Sequence, residues 1–134
     1  MLKFEVEVWF GDLDSFGHVN NVVIARYLET ARVKYFLSRF GNFGKLEQGF
    51  VLRRIEIDYL SPLYLGETAV VEIWVERVGN TSFDFGYRIY ERESRREIAR
   101  AKSVQVWYDL KKNQKIPIPD EVREVMLKDL REGE

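Results

Sequence analysis

Residues 21–40 read NVVIARYLETARVKYFLSRF and carry the clearest helical pattern in the chain. Apolar residues recur three or four positions apart, as at Ile24, Leu28 and Ala31, which is the spacing of one buried helix face. Gly41 follows directly and suits the left-handed conformation in which many helices end. The stretch therefore predicts one long helix with a broad buried face that ends at about residue 40.

The chain on either side of this helix alternates apolar and polar residues, which is the pattern of half-buried strands. We expect five strands, over residues 2–10, 50–60, 67–78, 83–92 and 98–109. Gly79-Asn80 marks a hairpin, and the last four strands should run antiparallel in long hairpins. A short amphipathic helix is expected from about Asp120.

One long helix beside a set of antiparallel strands is typical of an α+β domain with a helical layer and a sheet layer. We expect residues 1–134 to form a single domain, because no linker or repeat divides them. A sheet of this length leaves edges and an outer face to cover, so we also expect a homodimer or homotetramer.

Composition excludes several classes of function. The 21 basic and 22 acidic side chains nearly balance, which argues against a nucleic-acid binder. With no cysteine and one histidine, the chain cannot form disulfides, a thiolate nucleophile or a multi-histidine metal site. No signal peptide or membrane-spanning stretch is evident, so we expect a cytoplasmic protein.

Polar and conformationally permissive residues concentrate just before the long helix, where residues 10–21 read FGDLDSFGHVNN. Two aspartates, two glycines, the single histidine and two asparagines fall between a strand and a helix. The start of a helix also offers backbone N–H groups that lack partners within the helix. This strand-to-helix turn is the candidate functional segment.

The segments 12–21 and 27–32 together resemble the motif of hotdog-fold acyl-CoA thioesterases of the 4-hydroxybenzoyl-CoA thioesterase type. Residues 57–67, reading IDYLSPLYLGE, are similar to that family's second-strand signature, and residues 104–119 to its last strand and tail. The resemblance implies a hotdog fold, in which a curved five-stranded antiparallel sheet wraps a long central helix, here with a short C-terminal helix. It also implies acyl-CoA hydrolysis without a metal or organic cofactor, by protomers that pair through their sheets.

By this resemblance Asp14 matches the family's catalytic aspartate, acting either as a nucleophile or as a general base for water. We predict that the backbone amides of Gly17 and His18, just before the helix, polarise the thioester carbonyl. Asn20 and Asn21 stand where a helix N-cap is needed, and one of their side chains can also orient the attacking water.

Other polar residues have both a functional and a structural interpretation. Asp12 and the His18 side chain are expected to hold the turn by hydrogen bonds. The alternative for the His18 side chain is a contact with substrate. Glu29 is a second candidate for the catalyst, since a different lineage of hotdog thioesterases uses a helix glutamate. Its structural alternative is an ion pair with Arg26 or Arg32.

Tyr59 and Ser61 either line the acyl or pantetheine channel, as the resemblance implies, or serve as a strand-end aromatic and a turn residue. Most of a further set of aromatic residues are interpreted as core or sheet-interface residues, namely Trp9, Phe50, Trp74, Phe83, Phe85, Tyr87 and Trp107. The basic runs 92–96 and 111–115 are interpreted as solvated turns. Either run could bind a phosphate of coenzyme A, and the sequence favours neither.

Three other functions fit the same pattern. An acyl-acyl carrier protein thioesterase would act on the same pantetheine thioester, and a hotdog hydratase would combine Asp14 with His18. A non-catalytic acyl-thioester-binding protein is the third, because a fold does not determine a function.

Overall fold

The computed structural model describes residues 1–41 and 47–130. Its elements are β1 (Leu2–Glu7), a 3₁₀ helix (Phe10–Asp12), α1 (Asn21–Phe40), β2 (Gln48–Tyr59), β3 (Thr68–Val78), β4 (Ser82–Glu91), β5 (Glu97–Asp109), β6 (Gln114–Lys115) and α2 (Asp120–Lys128). The predicted long helix is confirmed at both ends, and Gly41 ends it with φ +80°.

The strands form one antiparallel sheet in the order β1-β3-β4-β5-β2, with β6 paired to the end of β5. β2 therefore lies at an edge beside β5, away from β3. The prediction of consecutive hairpins is correct for β3–β4 and β4–β5 and wrong for β2–β3. The alternating pattern of a strand does not encode which strand lies beside it.

α1 packs across the inner face of the sheet, mainly against β3 and β1. Its face at Ile24, Leu28 and Ala31 is buried, as the helical spacing predicts. Opposite it, β5 contributes the small buried residues Ala99 and Ser103. The long helix and curved antiparallel sheet confirm the predicted hotdog-type α+β fold.

The predicted count of five strands is wrong by one, because β6 adds a sixth within the described residues. It spans two polar residues, which is too short for a hydrophobic alternation, and it exists through pairing with Tyr108 and Asp109. The structure also ends β1 at Glu7, short of the predicted residue 10.

The chain turns away from the sheet after β1, because the backbone N–H of Trp9 donates to Oδ2 of Asp12 at 2.9 Å. Trp9 is 74% exposed in this chain, so its interpretation as a core residue is wrong. Asp12 holds the turn, as predicted.

None of the helices within the described residues is both long and apolar enough to span a membrane. The cytoplasmic location stays a prediction.

Candidate active site

The strand-to-helix turn between β1 and α1 folds back on itself through backbone hydrogen bonds. Asn20 N–H donates to the carbonyl of Asp12 at 2.9 Å, and Leu13 and Val19 form an isolated antiparallel bridge. Val19 N–H also donates to the carbonyl of Leu63 at 2.8 Å, which ties the turn to the segment after β2. The turn is thus anchored before α1 begins.

Asp14 lies at the tip of this turn, and the turn itself orients its carboxylate. Oδ1 accepts hydrogen bonds from the amides of Phe16 at 2.9 Å and His18 at 3.2 Å. Gly17, with φ +80°, adopts the left-handed conformation that closes the turn, and its amide donates to the Asp14 carbonyl at 3.1 Å. Within residues 1–41 and 47–130, Oδ2 accepts no hydrogen bond, so one carboxylate oxygen is held and the other is available.

A cavity of about 370 Å³ opens beside Asp14, between the start of α1 and the segment after β2. Five of the residues singled out from the sequence line it, namely Asp14, His18, Asn21, Tyr59 and Ser61. Apolar side chains such as Ile24, Leu63 and Ile98 supply much of the remaining wall. A carboxylate beside a partly apolar cleft is the arrangement expected for chemistry on an acyl group.

The first turn of α1 also faces this cavity. Asn20 is the N-cap, since its Oδ1 accepts the amide of Val22 at 3.0 Å, which confirms the predicted capping role. The amides of Val23 and Ile24 donate to the Asn20 carbonyl at 2.9 and 3.2 Å. The amide of Asn21 donates to no group in the described chain, and it lies at the positive end of the helix dipole.

The amides of Gly17 and His18, predicted to polarise a substrate carbonyl, both donate to Asp14 in this structure. To bind a carbonyl oxygen, either amide would first have to break its hydrogen bond to Asp14. Their role toward substrate stays a prediction.

The His18 imidazole packs edge-on against Tyr64, with ring centroids 5.3 Å apart, and makes no hydrogen bond to the described residues. The predicted side-chain hydrogen bond to the loop is therefore replaced by an aromatic contact. Tyr64 in turn lies under the guanidinium of Arg96, 5.8 Å from the ring centroid. Arg96 donates to the carbonyl of Pro62 at 2.8 Å and binds both carboxylate oxygens of Glu67.

Sequence patterns did not single out Tyr64 or Arg96 as parts of this site. Both lie more than 40 positions from the turn, and only the sheet topology brings them to it. A tyrosine after a turn and an arginine in a basic run carry no local signal for such a contact.

Glu29 lies on the exposed side of α1 and outside the cavity. The predicted ion pairs with Arg26 and Arg32 do not form. Arg26 approaches Asp12 at 4.0 Å, and buried Arg32 donates to the hydroxyl of Tyr87 at 3.1 Å.

Tyr59 and Ser61 both line the cavity, but their side chains differ in how accessible they are to a ligand. The Ser61 hydroxyl donates to the carbonyl of Glu97 at 2.7 Å, which fixes the turn after β2. The Tyr59 side chain is 52% exposed at the end of β2 and accessible to a ligand.

The chain resembles known proteins over most of its length. Residues 8–126 match the family described as the thioesterase-like superfamily. A putative acyl-CoA thioesterase of Bacillus subtilis, YneP, is 32% identical over 91 residues, or 66% of each chain. The chloroplastic acyl-acyl carrier protein thioesterase ATL3 of Arabidopsis thaliana is 28% identical over 98% of this chain and 70% of its own.

One similar solved structure is a thioesterase from Thermus thermophilus in complex with coenzyme A and zinc. It is 31% identical, with a TM-score of 0.79, over 94% of this chain and 92% of that one.

Proposed function

This chain belongs to the thioesterase-like superfamily, and we propose that it hydrolyses acyl-CoA thioesters to a free acid and coenzyme A, with Asp14 as the catalytic carboxylate. The observation that carries the proposal is the placement of Asp14, which lines the cavity with one oxygen held by the turn and the other unbonded within the described residues. The name of the B. subtilis relative and the coenzyme A in the T. thermophilus complex support the choice of an acyl-CoA.

Two routes use the same carboxylate. Asp14 can attack the thioester carbonyl carbon, which expels the coenzyme A thiolate and leaves a mixed anhydride that water hydrolyses. It can instead accept a proton from the water that attacks, and the proton then passes to the departing thiolate. Either route regenerates the Asp14 carboxylate and yields one acid and one thiol.

We propose the Asn21 amide as the first donor to the carbonyl oxygen. Within the described residues this amide has no hydrogen bond that it must break first, and the helix dipole favours negative charge at that position. Removal of one such donor costs about 3 kcal/mol of transition-state stabilisation in other enzymes. The amides of Gly17 and His18 are proposed to act mainly on Asp14, where they keep its carboxylate in place.

We assign roles to the remaining cavity residues according to whether each side chain already forms a hydrogen bond. Tyr59 is proposed to contact the acyl or pantetheine portion of the substrate, and the Asn21 side chain to orient water. The side chains of Ser61 and Asn20 are already bonded to the backbone, so they are proposed to shape the site.

A second candidate substrate is the thioester of an acyl carrier protein. The observation in its favour is the similarity to the Arabidopsis enzyme over 98% of this chain. A panel that pairs each acyl-CoA with the same acyl group on a carrier protein separates the two, by comparison of kcat/KM.

The proposal is tested by Asp14→Asn, with Asp12→Asn as the matched control in the same turn. Asparagine keeps the oxygen that accepts the Phe16 and His18 amides, so the fold should survive while kcat falls on the order of a thousandfold or more. Asp12→Asn should retain activity.

Two results would contradict this assignment. One is full activity in Asp14→Asn together with loss of activity in Glu29→Gln, which would move the catalyst to the helix. The other is tight binding of acyl-CoA without release of free thiol, which would indicate a binding protein.

A further inference from the structure

The structure separates the two basic runs of the chain by their distance from the cavity. β5 begins directly after the run 92–96 and ends at Asp109, one residue short of the run 111–115. Its 13 residues span roughly 40 Å at the rise of an extended strand. Because Ile98 at the start of β5 lines the Asp14 cavity, only the run 92–96 lies at the catalytic end of the sheet.

This run forms a preorganised turn between β4 and β5. The Glu91 carboxylate accepts the amides of Ser94 at 2.9 Å and Glu93 at 3.1 Å. Arg95 is held at φ +64°, a left-handed conformation in which glycine or asparagine is normally found. A strained non-glycine residue in a well-bonded turn points to a role for its side chain.

Arg95 and its neighbours line a separate cavity of about 260 Å³ on the outer face of the sheet, which we term the arginine-turn pocket. Its lining includes Lys3, Tyr90, Arg92 and Arg95. The Arg95 guanidinium lies 5.4 Å from the centroid of the Tyr90 ring, and its Nη1 donates to the Tyr90 hydroxyl at 3.4 Å.

The charges of the arginine-turn pocket are only partly neutralised. Arg92 pairs with Glu5 at 3.3 Å and Glu93 at 3.1 Å. In the parts of the chain that the structure describes, neither Lys3 nor Arg95 forms an ion pair. Two cations therefore remain for an anionic ligand in a protein whose overall charge is −1.

The arginine turn also contacts the wall of the Asp14 cavity. Arg96, the neighbour of Arg95, donates to the Pro62 carbonyl and lies over Tyr64, which contacts His18. Pro62 and His18 both line the cavity. The catalytic cavity and the arginine-turn pocket are thus joined by a short chain of direct contacts.

We propose that the arginine-turn pocket binds the nucleotide phosphates of coenzyme A while the thioester lies beside Asp14. The inference rests on the proposed function, because it assumes an acyl-CoA substrate. Coenzyme A carries a diphosphate and a ribose 3′-phosphate, and guanidinium groups bind phosphate oxygens through paired charge-assisted hydrogen bonds. The lysine run 111–115, at the opposite end of β5, has no part in this binding.

The test compares an acyl-CoA with the same acyl group on pantetheine, which has no nucleotide. For the wild-type protein, KM should be lower with acyl-CoA than with acyl-pantetheine. Arg95→Gln should raise KM for acyl-CoA roughly tenfold, toward the acyl-pantetheine value. Lys112→Gln is the matched control and should leave KM for acyl-CoA unchanged.

A second variant separates binding from folding. Arg95→Gly relieves the left-handed strain, so it should unfold at a higher urea concentration and still show the raised KM for acyl-CoA. A stable Arg95→Gly protein with wild-type KM would overturn the proposal.

Three further outcomes would overturn it as well. The first is a wild-type KM that is the same for acyl-CoA and acyl-pantetheine. The second is a rise in KM for acyl-CoA in Lys112→Gln as large as that in Arg95→Gln. The third is a rise in KM in Arg95→Gln that occurs only with carrier-protein substrates. The last would identify the turn as a carrier docking surface.

If no thioester is hydrolysed, the proposed function fails and calorimetric titration with coenzyme A still tests the pocket. Weaker binding of coenzyme A to Arg95→Gln than to the wild type would uphold the phosphate site. Equal affinity would overturn it.

Discussion

At the scale of single residues, the catalytic candidate is defined by a few neighbours in sequence. Asp14 is oriented by amides two and four positions later, and by a glycine whose φ few other residues adopt. The same local bonds occupy one carboxylate oxygen and leave the other unbonded within the described residues. The orientation of the proposed catalytic carboxylate is thus built into the turn itself.

Gly17→Ala tests this dependence. Nothing lies within 4 Å of a Cβ at Gly17, so the cost arises only from φ +80°. We expect the free energy of unfolding in urea to fall by about 1 kcal/mol, and kcat to fall as Asp14 loses its orientation.

Gly11→Ala is the matched control, because it lies in the same region with equal space and no positive φ. It should be nearly neutral. Equal destabilisation by the two variants would show that the left-handed conformation at Gly17 has no special cost.

At the scale of elements, the turn between β4 and β5 depends on one buried carboxylate. Hydrogen bonds from the amides of Ser94 and Glu93 lower the pKa of Glu91 from its usual 4.5 to about 2, against an opposing effect of burial. The charged form is therefore the form that stabilises the turn. The turn between β4 and β5 also positions Arg95.

The stabilisation by Glu91 should depend on pH with a definite sign. The folded pKa is lower than the unfolded one, so the contribution is fully present above about pH 4.5 and is lost as the pH falls toward 2. The measurement is the difference in unfolding free energy between wild type and Glu91→Gln across this range.

The difference in unfolding free energy between wild type and Glu91→Gln should be largest at neutral pH and shrink below pH 4.5. Glu93→Gln serves as the control, because within residues 1–41 and 47–130 the Glu93 carboxylate pairs only with the exposed side chain of Arg92. A difference for Glu91→Gln that stays constant down to pH 2 would contradict the assigned role of the carboxylate.

At the scale of the whole molecule, the sheet leaves β2 at an edge and poorly covered. Within the described residues β2 pairs only with β5, and its apolar Val51 and Leu52 are 38% and 44% exposed. A long edge strand with exposed apolar side chains is a site for pairing with another chain. We therefore propose that the protein forms a homodimer or homotetramer and that β2 contributes to its interface.

Sedimentation measurements test this proposal. The wild-type protein should sediment as a dimer or tetramer, and Val51→Lys/Leu52→Lys should shift it toward monomer by placing like charges at the edge. Leu127→Lys, at an exposed position of α2, is the control and should leave the assembly intact. A wild-type protein that is monomeric at every concentration would rule the proposal out.

The sequence by itself determined the elements that depend on near neighbours. The bounds of α1, an asparagine cap at its start and the approximate positions of the first five strands follow from periodicity and capping, which are local. The prediction of Asp14 as the catalytic carboxylate also comes from the sequence, because a contiguous motif and its turn carry the signal.

Only the tertiary structure decided which distant segments meet. It placed β2 beside β5, brought Tyr64 and Arg96 to the turn and left Glu29 outside the cavity. It also put one of two similar basic runs at the end of the sheet that holds the Asp14 cavity. The physical reason is that strand order and cross-sheet contacts arise from packing between residues far apart in the chain. An alternating pattern reports that a strand has a buried face, and it does not specify the strand or side chain that buries it.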